Sequence, residues 1–162
     1  MLLAVACQKD PKTDSVAVGS AQPSASVAAP VAAALPAKPW FEGNWQGAFQ
    51  AELFRIELAT GGVKEWKQDD GTKSSGEGKL SLVAASDGAV TGSATGALGD
   101  LAVAGRIDGD RAALMLTSAQ PDGFHGVILA SQTPEGLKGT LNASSADSLL
   151  VRQASVTLTR AK

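Results

Sequence analysis

Apolar and polar positions alternate from Lys79 almost to the C-terminus, in runs of seven to eleven residues. Leu80, Leu82 and Ala84 share one parity, as do Leu101, Val103, Gly105 and Ile107; Leu114 and Leu116; Leu137, Gly139 and Leu141; and Val156 and Leu158. Val90, Ala94 and Leu98 fall four apart on a single parity. A period of two places each set on one face of a strand. Between the runs stand turn signals: Asp87-Gly88, Gly99-Asp100, Asp108-Gly109-Asp110, Pro121-Asp122-Gly123, Pro134-Glu135-Gly136 and Ser144 to Asp147. Punctuation near every ten residues is an all-β signature.

Connections this short allow only antiparallel neighbours, because a parallel crossover needs a dozen or more residues. The pattern therefore predicts an antiparallel up-and-down meander of 8–9 strands. A flat meander would leave two unpaired edges and an exposed apolar face, and closure into a small barrel removes both. The one long connection, Gly61 to Gly78, argues against a sandwich, which needs several long returns. Glycines on the apolar parity (Gly92, Gly96, Gly105, Gly126, Gly139) let strands coil sharply. Upstream, Trp45 and Phe49 share a face, whereas Phe54, Ile56 and Leu58 have the opposite parity, so a bulge or turn is expected past Glu52.

Composition divides the chain into three parts. Residues 41–162 hold nearly all the patterning and form the expected barrel domain. Residues 8–40 read as a disordered tether: Gln8 to Pro39 contains nine Ala, five Pro and four Ser and shows no hydrophobic period. The prolines interrupt any helix the alanines favour, and a coil of this length reaches roughly 30 Å. Residues 1–7 are an apolar run that ends at the only cysteine, Cys7.

The Ala4-Val5-Ala6-Cys7 run resembles the lipobox that closes a bacterial lipoprotein signal peptide. The resemblance implies that Cys7 carries a lipid such as palmitate and that the protein is held at a membrane. In that family the residue after the cysteine directs sorting, and Gln8 in place of Asp implies the outer membrane, facing the periplasm or the cell surface. The position three before the cysteine is Ala4 rather than a large aliphatic residue, and the basic start of a signal peptide is missing. A start codon assigned too late explains both.

The Gly43-Asn44-Trp45 opening strand, the meander and the last strand ending in Arg160 resemble the lipocalin-like barrels of the calycin superfamily. That resemblance implies that Trp45 packs across a closed end beneath Arg160, as a structural closure. Arg160 has the parity of Val156 and Leu158, which a solvent-facing arginine does not need.

Charge and residue chemistry narrow the function further. The net charge is −2, from 14 Lys and Arg against 16 Asp and Glu, so no basic surface awaits nucleic acid. One His, one Cys and no Tyr leave most catalytic and metal-binding constellations impossible to assemble. His125 has no second histidine and no nucleophile elbow beside it. Asp69-Asp70 and Asp108-x-Asp110 do not continue into a calcium loop, and turn chemistry accounts for them. Lys64 to Asp70 surrounds a single Trp66 with charge and is either a solvated loop or a binding lip.

No catalytic residue, metal or cofactor is assigned. The expected function is a non-enzymatic binding module for a small apolar molecule or an envelope component. The alternative is a structural or protein-interaction lipoprotein, such as an inhibitor or assembly factor, with a side-chain-filled barrel. A monomer is expected in either case, and the state of the lumen discriminates the two.

Overall fold

The structure, a computed structural model, describes residues 39–55 and 68–161. Eight antiparallel strands run in chain order around a closed barrel: β1 (Gly43–Leu53), β2 (Gly76–Ala84), β3 (Ala89–Gly96), β4 (Leu101–Asp108), β5 (Arg111–Ser118), β6 (Phe124–Thr133), β7 (Gly136–Ser145) and β8 (Val151–Arg160). Each pairs with its neighbour, and β1 closes the ring by pairing with β8. The closure removes both sheet edges, as the up-and-down pattern demands.

The apolar parity points inward on every strand. Leu80, Leu114, Leu116, Ile128, Leu137, Leu141, Val156 and Leu158 are each less than 2 % exposed. A void able to hold water would leave accessible surface on its walls, so these side chains border none. The lumen around them is filled by the chain itself. Glycine allows this density at two inward positions in particular. A Cβ on Gly78 would lie 2.0 Å from the Phe49 ring, and one on Gly105 would lie 2.2 Å from the carbonyl of Ala113. The first accommodates an aromatic ring, and the second lets β4 and β5 approach while the sheet coils.

Several boundaries differ from the sequence reading. Gly76 and Gly78 belong to β2, opposite Ala51 and Phe49, so the long connection ends before Gly76. Their lack of side chains reads as loop in the sequence but serves packing in the barrel. The β1–β2 register is unbroken from Gly43↔Ala84 to Ala51↔Gly76, so any change of parity falls past Glu52, where the expectation put it. β1 stops at Leu53, and the next residue, Phe54, is 41 % exposed; Ile56 and Leu58 lie outside the described residues. The folded unit also reaches back past Phe41. Glu42 N–H donates to the Pro39 carbonyl (3.2 Å), and Trp40 packs edge-on against Trp45 with ring centroids 6.1 Å apart. Residues 1–7, expected to resemble a lipobox, and nearly all of residues 8–40, expected to be a tether, lie outside the described residues.

Candidate functional site

The two ends of the barrel are closed by different groups. At one end, Trp45 begins the inward parity of β1 and is register partner of Arg160 at the end of β8. The guanidinium carbon stands 5.4 Å from the centre of the Trp45 ring. Trp45 Nε1–H donates to the Phe41 carbonyl at 2.7 Å, and Arg160 donates to the carbonyls of Glu42 (2.9 Å) and Trp40. Trp40 Nε1–H then reaches the Gly109 carbonyl in the β4–β5 turn at 3.1 Å. The Pro39–Glu42 turn is thereby stitched across this opening by side chains donating to backbone carbonyls.

At the other end, Arg152 sits at the start of β8 and is fully buried. It meets the Asp69 carboxylate in a two-point pair at 2.6 and 3.0 Å and donates to the carbonyls of Lys73 and Val151. The Arg152 guanidinium holds the Asp69 carboxyl below the ordinary carboxylate range, helped by the Gly71 N–H and opposed by burial. Asp70 is lowered by the Thr72 hydroxyl and N–H, and Asp147 by the Ser145 hydroxyl and Leu149 N–H. These turns bring Gly71 and Ser74 into left-handed backbone (φ 79° and 52°), which curls the segment from Asp69 over the opening. Sequence reasoning passed over Arg152 although its parity matches that of Val156 and Leu158.

The outer surface divides into two faces. On β5 and β6, Met115, Val127 and Leu129 are exposed, with Met115 and Val127 directly paired. On β7, β8, β1, β2 and β3 most outward positions are hydroxyls, amides or charges, with Val83 on β2 the exposed large apolar exception. Here the β1–β8 register stops at Phe49↔Val156 and resumes at Glu52↔Gln153, leaving Gln50 and Ser155 unpaired in the ladder. A concavity of about 720 Å³ lies beside this parting, lined by Ala48, Gln50, Glu77, Lys79, Thr95 and Ser155 together with Gly78, Gly96 and the buried Phe49. Gln50 and Ser155 also line a depression reaching Thr140 and Gln153, while Lys79 and Thr95 line another reaching Gln46 and Ser93. The three depressions adjoin through these shared residues and together mark a trough across five strands.

The remaining sequence candidates distribute as follows. Cys7 and Trp66 lie outside the described residues. His125 is exposed on β6, opposite Ser144, with Nε2 and Oγ 3.3 Å apart. Asp69 and Asp70 are turn residues, whereas Asp108 and Asp110 flank the β4–β5 turn. Among the described residues no three His, Cys, Asp or Glu side chains converge on a point that could hold a metal. No protein-family model matches the chain, and no curated protein or solved structure matches it.

Proposed function

We propose that the protein is a non-enzymatic, lipid-anchored component of a bacterial envelope, and that its barrel works through its outer surface rather than through a lumen. The filled interior carries this reading. An apolar ligand of useful size would have to displace core side chains, each worth about 2–5 kcal/mol in packing. Both openings are also spanned by hydrogen-bonded segments. This favours the interaction protein with a side-chain-filled barrel over the small-molecule carrier. The trough supplies a concave outer surface on which binding from outside the barrel can be built.

Native mass spectrometry of the protein released gently from membranes tests the reading. The expected species is a monomer with covalent lipid at Cys7 and no further lipid. A stoichiometric non-covalent lipid, or saturable binding of a fluorescent fatty acid, overturns it. Anchoring is tested separately by Cys7→Ser in the gene expressed with its native flanking sequence in a bacterial host. The variant should move to the soluble fraction; an unaltered protein that is already soluble refutes the anchor.

A further inference from the structure

We infer that the trough across β7, β8, β1, β2 and β3 binds a neutral polysaccharide chain, an inference that rests on the outer-surface reading above and names its ligand class. Strand register builds the trough in rows. One row has the pair Thr140 and Ser155 on one side of the β1–β8 parting and the pair Gln50 and Glu77 on the other, and the next runs unbroken through Lys138, Thr157, Ala48, Lys79 and Thr95. Ala48, with Gly47, Gly78 and Gly96 nearby, puts no bulk in the middle, so the longer side chains stand as walls around a low floor. Crossing five strands at the usual interstrand spacing gives a length of about 19 Å.

The wall chemistry selects the ligand. Gln46, Gln50 and Gln153 each offer donors and an acceptor, and Ser93, Thr95, Thr140 and Ser155 offer hydroxyls that serve as either. The Gln153 Nε2–H donates to the Asn142 side-chain Oδ1 at 3.0 Å, which orients it at the edge of the trough. Charges are few and balanced, with Glu52 and Glu77 against Lys79 and Lys138. A polyanion would meet no net positive charge, and a protein partner would find no exposed large apolar side chain in the lining, since Phe49 is buried. Of the exposed large apolar side chains, Met115, Val127 and Leu129 cluster on β5 and β6, whereas Val83 on β2 and Phe54 past the end of β1 stand singly and line none of the three depressions. A chain of sugar rings presents closely spaced neutral hydroxyls and, in amino sugars, amides. It is the polymer whose groups match a long, uncharged set of donors and acceptors without burying a charge.

The test is a nuclear magnetic resonance titration of the isotope-labelled full chain with two probes, chitotetraose and maltotetraose. Saturable amide shifts are expected with at least one probe, confined to Gln46–Glu52, Glu77–Ser81, Ser93–Gly96, Thr140 and Gln153–Ser155. The double variant Gln50→Ala/Gln153→Ala should weaken binding about tenfold, since each side chain contributes hydrogen bonds of modest net strength. Both residues are on the outer surface, and an unchanged spectrum elsewhere certifies the fold. Ala48→Gln, which raises the floor and adds no charge, should weaken binding as well.

No shifts with either sugar at tens of millimolar, shifts centred on Met115 and Leu129, or affinity unaffected by all three substitutions would overturn the inference. The two readings fail separately. A fatty acid that shifts Leu80 and Leu114 refutes the filled-lumen reading alone, whereas silent sugars refute only the polysaccharide.

Discussion

The barrel uses a cation at each end, in opposite settings. Arg160 is exposed, lies over an aromatic face and donates to carbonyls of the Pro39–Glu42 turn. Arg152 is fully buried, and its charge is balanced by one carboxylate brought from the β1–β2 connection. The first cation keeps most of its hydration and adds a modest attraction to a closure that is aromatic at heart. The second has left water and depends on its partner, because an uncompensated buried charge costs several kcal/mol. Similar residues at equivalent places on one strand thus answer to different physics.

The largest effects should come from the buried member at each end. Arg152→Ala and Asp69→Ala are each expected to lose about 3–5 kcal/mol in urea unfolding, the second by leaving the guanidinium unpaired. Replacing both with apolar residues, as in Asp69→Leu/Arg152→Met, should recover most of that loss. Trp45→Ala should lose about 3–5 kcal/mol by cavity formation, with no such rescue from a partner substitution. If the double apolar variant is no better than its singles, the ion pair is not what distinguishes this end.

A smaller effect is expected at the exposed cation. Arg160→Ala should lose about 1–2 kcal/mol, from the indole contact and its hydrogen bonds. Combined with Trp45→Ala, the loss should be less than the sum, since the two share a contact. Strict additivity would detach Arg160 from the aromatic closure.

Acid should separate the two ends. The Asp69 carboxyl is lowered in the folded state, chiefly by Arg152. A depressed carboxyl contributes its full stability above the unfolded value of about 3.9, and the contribution is lost as pH falls through the folded value. Unfolding followed from pH 5 downward should therefore show a loss beginning near pH 4. Asp69→Leu/Arg152→Met should flatten that loss, and Arg160→Ala should leave its slope unchanged. The smallest effect belongs to the outer face: His125→Ala should change stability by no more than about 0.5 kcal/mol, because the ring is exposed and meets only a surface serine.

The sequence carried much of this contrast, unevenly. Trp45 and Arg160 were legible as a pair because both end a run of inward parity and a closed meander makes the first and last strands neighbours. Arg152 has the same parity, yet its carboxylate partner lies 83 positions upstream, and no local pattern joins Asp69 to it. Asp69 by itself reads as a turn residue, which it also is, since it accepts from Gly71 N–H. The trough was less legible still. Its side chains are the polar half of each alternation, and nothing along the chain marks where β1 and β8 part.

What the sequence determined by itself is the all-β meander, its order and its inward faces, because period-two burial and short turns are local properties that any antiparallel closure must respect. Whether the lumen is open or filled, how each end is closed and where the outer surface becomes concave were decided only in three dimensions. Those features depend on register and on contacts between residues far apart in the chain: Phe49 against Gly78, Trp40 against Gly109, Asp69 against Arg152. Alternation specifies which way a side chain points, while the space it meets there is set by the strands on either side.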